Sequence, residues 1–112
     1  MNHIFIVLVE FYPTWLAMSR DERGKRANEL KEITLKYPEV HVRFFDAEAL
    51  PGKDYTDIII CETKNIQKYH YMWEEIRDHS VYTEGHMKIK DVIMGMEEAY
   101  KKFEEDSLKT LK

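Results

Sequence analysis

His41, Arg43, Asp46 and Glu48 fall within one short run of the chain. An imidazole beside a carboxylate can serve as an acid–base pair tuned near neutrality. A guanidinium next to it can hold a carboxylate or enolate oxygen. The run Glu39–Asp46, EVHVRFFD, reads as a strand. Val40, Val42 and Phe44 point one way; His41, Arg43 and Phe45 point the other. Asp46 has the parity of the first set, but it stands at the strand end, where a bend can re-aim it. These four residues are the candidate catalytic set. A second reading stays open beside it: Arg43 forms a structural ion pair with Asp46, Glu48 or Glu10, closing a sheet edge or a dimer seam.

Aromatic and imidazole side chains elsewhere supply a candidate ligand pocket: Trp15, Phe45, Tyr71, Trp73, Tyr82 and His86. Trp15 can equally plug the end of a core. Met72, Met87, Met94 and Met96 can line an adaptable apolar pocket or fill core gaps, the second being the ordinary use. Other chemistries find little support. Five histidines occur without a His-x-His or His-x-x-x-His pair, and one cysteine precludes a Cys pair, so no metal is expected. Haem ligation by His70 or His79 would need a dedicated apolar cavity. The glycines are scattered and form no phosphate loop. Cys61 sits in an apolar run, where a buried, inert thiol is the default. No cofactor is expected.

The elements that must position these residues follow from patterning. Residues 3 to 12, HIFIVLVEFY, are apolar with almost no alternation, as in a central strand covered on both faces. Pro13 keeps that strand extended at Tyr12. Ser19 and Glu22 have the spacing of a capping box: the Ser19 hydroxyl accepts from the Glu22 amide, and the Glu22 carboxylate reaches back to the Ser19 amide. A helix is therefore expected over 20–36, with Ala27, Leu30, Thr34 and Tyr37 inward, and Pro38 ends it. After the strand at 39–46, Pro51-Gly52 marks a loop. A third strand covers 55–63. A helix over 65–79 carries an inward stripe of Ile66, Tyr69, Trp73 and Ile76, and a polar loop occupies 80–86. A fourth strand spans about 87–94, and a last helix over 96–111 turns Met96, Ala99, Tyr100 and Phe103 inward.

This order predicts an α+β, ferredoxin-like βαββαβ fold over residues 1–112, with a C-terminal helix and a four-stranded antiparallel sheet. Two helices cover one face of the sheet and leave the other bare. Because the first and third strands are apolar on both faces, the bare face marks an interaction surface. A homodimer with two sheets packed face to face, a dimeric α+β barrel, is the economical solution.

One hundred and twelve residues suit one domain with its own core. The chain is 44% apolar and 34% charged, with net charge -4 and a pI near 5.7. It carries no basic stripe, so nucleic acid is an unsuitable partner. No apolar run approaches the roughly 18 residues of a membrane span. A lone cysteine and the lack of a visible signal peptide point to the cytoplasm.

The run Pro13-Thr14-Trp15-Leu16-Ala17-Met18-Ser19-Arg20-Asp21-Glu22-Arg23 resembles the P-x-W-L-x-L-S-x-x-E-R opening of the darcynin family. Val42-Arg43-Phe44-Phe45-Asp46-Ala47-Glu48-Ala49 is similar to that family's R-F-F-D-A-E-A segment. The resemblance extends over residues 3 to about 100, while the stretch from His70 to His86 matches no motif. It implies a small bacterial protein of the dimeric α+β barrel type and implies no reaction. Two functions remain open. One is a dimeric-barrel enzyme without a tightly bound cofactor, running proton transfer or oxygenation on a small aromatic or enolisable molecule, as muconolactone isomerases and antibiotic-biosynthesis monooxygenases of that fold do. The other is a non-catalytic ligand-binding or accessory module.

Overall fold

The computed structural model describes residues 1–47 and 54–111, the side chains of 109–111 excepted. Glu48 and the Pro51-Gly52 loop lie outside the described residues. The elements are β1 (His3–Phe11), α1 (Pro13–Leu16), α2 (Arg20–Leu35), β2 (Val40–Asp46), β3 (Asp57–Thr63), α3 (Ile66–Asp78), α4 (Ser80–Thr83), β4 (Met87–Met96) and α5 (Ala99–Leu111). The sheet is antiparallel throughout, in the order β2-β3-β1-β4. The two apolar runs, β1 and β3, are the central strands, as their doubly apolar character requires.

Register divides the sheet into two faces. Phe5, Val7 and Val9 of β1 face the same side as Val40 of β2 and Ile59 and Cys61 of β3, and all six are buried. α3 lies over them. Its Met72, Trp73 and Ile76 are buried, and Tyr69 stacks on Phe5 at 3.7 Å between ring centroids. Ile66, expected in that stripe, is exposed, because it opens the helix immediately after the Asn65 cap. Asn65 Oδ1 accepts from the Lys68 amide at 3.1 Å. The opposite face of the sheet carries Ile4, Ile6, Leu8, Ile58, Ile60 and Ile93, and no helix among the described residues covers it.

α2 begins as its sequence requires. Ser19 Oγ accepts from the Glu22 amide at 3.1 Å. Only half of the capping box forms, however. The Glu22 carboxylate turns to Arg26 Nε at 2.9 Å instead of the Ser19 amide, since a charged donor one turn on is the stronger partner. Arg26 also pairs with Glu84, whose other neighbour is His86 Nε2 at 3.2 Å. His86 Nδ1 in turn meets Thr14 Oγ1 at 2.9 Å. This chain of contacts ties α1, α2 and the turn after α4 together. Part of the segment expected as a loop forms α4, and Gly85 closes the turn at φ 77, a conformation that costs glycine little.

Two further expectations are corrected. Met96 belongs to β4, which runs to the end of the pairing with His3. Tyr100 and Phe103 do not turn inward: they are 63% and 72% exposed. The helix α5 leaves β4 through Glu98 at φ 49 and stands off the body, giving overall dimensions of 64 × 32 × 18 Å. No helix among the described residues is long and apolar enough to cross a membrane.

A second strap joins the far end of α2 to α3. Tyr37 donates to Glu75 Oε1 at 2.6 Å, and Lys36 Nζ lies 3.2 Å from Glu75 Oε2. The Tyr37 hydroxyl and then Lys36 hold the Glu75 carboxyl below its ordinary value of 4.5. A lowered folded-state value stabilises the fold above the unfolded value, and that contribution disappears as pH falls through the folded one. Glu75→Gln keeps an acceptor for Tyr37 but cannot titrate. In denaturant melts the wild type is therefore expected to exceed this variant in stability at pH 7, with the gap closing progressively below pH 4.5. A gap that stays constant down to pH 2 would show that Glu75 contributes nothing through its charge.

Candidate functional site

α2 covers its part of the sheet poorly, and the reason lies in its inward residues. Arg23, Ala27, Leu30, Lys31 and Thr34 recur at helical spacing on the side facing the sheet. Two are charged and two are small, so the stripe cannot fill the space beneath it, and no residue of α2 is fully buried. A cavity of about 410 Å³ remains between α2, α1 and the ends of β1, β2 and β3. Its apolar wall includes Trp15, Leu30, Phe44, Trp73 and Ile76. Phe44 is consequently half exposed instead of packed into the core. Trp15 meets Phe11 at 5.2 Å between ring centroids, closing one end. Phe45 borders the cavity at the end of the edge strand β2, although register puts its side chain on the open face.

Four charged residues border the same space: Arg23 and Lys31 from α2, and Asp46 and Asp57, which face each other across the β2–β3 pair. Arg23 is the unusual one. Its Nε is buried and has no hydrogen-bond partner, and the residue makes no ion pair among the described residues. A guanidinium that borders a cavity without a carboxylate partner can take an acceptor supplied from outside through its accessible edge.

The residues nominated from sequence thus fall in several places. Trp15, Phe45, Trp73 and Asp46 border the cavity. His41 and Arg43 do not. They lie on the open face of β2, and five strand steps put His41 about 16 Å along the chain from Asp46 and on the other side of the sheet. His41 sits in a shallow polar groove with Asn2, Glu62 and Asn65. Arg43 takes Glu62 at 3.4 Å, and neither Asp46 nor Glu10, because register sets it diagonally across from Glu62; its guanidinium also lies 5.9 Å from the Phe45 ring. Both members of that pair are well hydrated, so it contributes no more than about 1 kcal/mol.

Tyr71 is exposed on α3 with Lys68 over its ring, and Tyr82 packs on the core edge under Arg77. His86 is taken up in the strap described above. His70 is exposed beside Glu74. Both ring nitrogens of His79 are engaged: Nδ1 accepts from the Val81 amide at 3.1 Å, leaving Nε2 to donate to Glu29 at 3.0 Å. Burial pushes the Cys61 thiol up to about 12, with the Trp73 indole opposing, so a thiolate nucleophile is disfavoured at neutral pH. Among the described residues, no group of three His, Cys, Asp or Glu is placed to hold a metal ion. Sequence reasoning missed Arg23, Lys31 and Asp57. The available signal was the small-and-charged stripe on α2, which reads as an ordinary solvated face until the sheet is seen beneath it.

The chain matches the family model described as darcynin, a domain of unknown function, over residues 2–111. It is 33% identical over 90 residues to darcynin 1 of Acinetobacter baumannii, covering 80% of this chain and 99% of that protein. It is 31% identical over 75 residues to a darcynin of Chromobacterium violaceum, covering 67% of this chain and 94% of that one. Among solved structures it is similar to chlorite dismutase from Candidatus Nitrospira defluvii in complex with imidazole, with a TM-score of 0.74 at 8% identity over 84% of this chain. It is similar also to a putative chlorite dismutase, with a TM-score of 0.70 at 14% identity over 85% of this chain. The chain spans 39% and 43% of those two proteins, so the likeness is one of fold: the α+β, dimeric-barrel type. With a family model matching nearly its whole length and relatives about one-third identical, this chain belongs to the darcynin family.

Proposed function

We propose that this darcynin is a cytoplasmic, homodimeric small-molecule-binding protein whose ligand is a small aromatic or apolar compound held beneath α2. The observation that carries this reading is the 410 Å³ cavity with aromatic walls. Its size falls within the range of small-molecule sites, and its lining has the mix of apolar surface and few polar groups that such sites use. The homodimer rests on two surfaces that a single copy leaves uncovered: the isoleucine-rich open face of the sheet, and the apolar residues of α5. Open-face packing would bring His41 and Arg43 toward the dimer seam.

A catalytic reading comes second, and Asp46 supports it. Among the described residues, this carboxylate is the nominated acid–base group that borders the cavity, so proton transfer from an enolisable ligand would fall to it, without a cofactor.

Titration with naphthalene-2-methanol, followed by tryptophan fluorescence, tests the binding reading, since Trp15 and Trp73 both border the cavity. Saturable quenching is expected in the wild type. Ala27→Phe places a ring in the cavity and is expected to weaken the probe at least about tenfold while the protein still unfolds cooperatively. Equal quenching of both proteins, or none in either, would overturn the cavity as the site.

A further inference from the structure

We infer that the cavity selects a monoanionic aromatic ligand, a ring system bearing one carboxylate, with Arg23 as the group that receives the carboxylate. This rests on the binding reading above and adds the ligand's charge to it. Arg23 borders the cavity, and no carboxylate among the described residues pairs with its guanidinium. Its neighbour in the strap, Arg26, shows the contrast. One turn along the same helix, Arg26 is satisfied by Glu22 and Glu84. The chain therefore supplies acceptors for one guanidinium of α2 and leaves the inward one open. A carboxylate is the acceptor that matches a guanidinium edge best, through charge-assisted and often paired hydrogen bonds.

The opposite wall limits the ligand's charge. Asp46 and Asp57 face the cavity from the sheet side, beside the same strand ends that α1 closes. Asp46 repels negative charge that Arg23 does not neutralise. A single carboxylate is matched by one guanidinium, whereas a phosphate monoester brings a second charge against Asp46. Lys31 stands eight residues further along α2, about 12 Å away by helical rise, in a different stretch of the cavity wall. The remaining wall, Trp15, Phe44 and Trp73, suits a flat ring.

Three probes with one ring system separate these claims: 2-naphthoate, naphthalene-2-methanol and 2-naphthyl phosphate, each titrated against the full chain by tryptophan fluorescence at pH 7. The expected order is naphthoate tightest, by at least about tenfold over the alcohol, with the phosphate weakest. Arg23→Gln is expected to remove the preference, bringing naphthoate to or below the alcohol. Saturable binding of the alcohol by the variant reports an intact cavity. Saturable binding with equal affinities for acid and alcohol would overturn the anion inference and leave the binding reading standing. A preference that survives Arg23→Gln would overturn Arg23 as its source. Tightest binding of the phosphate would overturn the single-charge limit. If no probe binds, both readings fall together.

Discussion

Trp73→Ala is expected to destabilise the protein by about 3–5 kcal/mol, the range for removing a large aromatic from a core. The side chain is only 5% exposed, and its ring meets Tyr69 edge-on at 6.5 Å between centroids. Tyr69 in turn stacks on Phe5 of β1, so the indole is the last member of an aromatic series that fastens α3 to the sheet. Two effects compete over the size of the loss. Deleting the indole removes transfer free energy and aromatic contacts, which raises the cost. The space left behind joins an existing cavity bordered by charged residues, and water can enter it, which lowers the cost. The first effect dominates because most of the indole surface is packed against protein, but the outcome belongs toward the lower end of the range. Urea denaturation at pH 7 measures it, and Trp73→Phe should recover part of the loss. A loss below about 1 kcal/mol would mean that α3 is held to the sheet by other contacts.

Ile60→Glu is expected to convert the proposed homodimer to monomer. Ile60 pairs in register with Ile6 of β1, which pairs on its other side with Ile93 of β4, so the three side chains form a row across the uncovered face. Face-to-face packing of two such rows would bury Ile60 near the centre of the interface. A carboxylate there would be desolvated without a partner, at a cost of several kcal/mol, enough to weaken association by about a thousandfold or more. The isolated protomer is expected to tolerate the change better than the interface does, because in one copy Ile60 keeps partial access to water. Sedimentation equilibrium over a range of concentrations reads the result, with circular dichroism confirming that the sheet persists. A variant that remains dimeric would place the interface elsewhere, with the exposed stripe of α5 as the next surface to substitute. A wild-type monomer would remove the face-to-face arrangement altogether.

The sequence by itself determined the order of the four strands and three long helices, and which two strands are central. Doubly apolar runs become central strands because a central strand has a neighbour on both edges, which leaves its side chains least open to water on either face, and β1 and β3 are those runs. The caps were equally local: Ser19 and Asn65 each accept from an amide three residues on, a geometry that needs no tertiary contact. Alternation along β2 correctly separated His41 and Arg43 from Val40, since strand parity is a property of the backbone.

Tertiary structure decided what parity could not. Whether Phe44 is core or cavity wall depends on what stands above it, and α2 offers alanine, threonine and charged side chains there in place of large apolar ones. Whether the Glu22 carboxylate completes a capping box depends on Arg26 competing for it. Whether α5 turns inward depends on the turn at Glu98, which directs the helix away from the sheet despite an apolar stripe suited to burial. The candidate site followed the same division. Trp15 and Trp73 were legible because large aromatics at element ends and on helix stripes cluster wherever a core forms. Arg23 was not, because in sequence it is one cation among many on a charged helix. Only the fold, by laying that helix over the strand ends, takes its Nε out of water and leaves it without an acceptor.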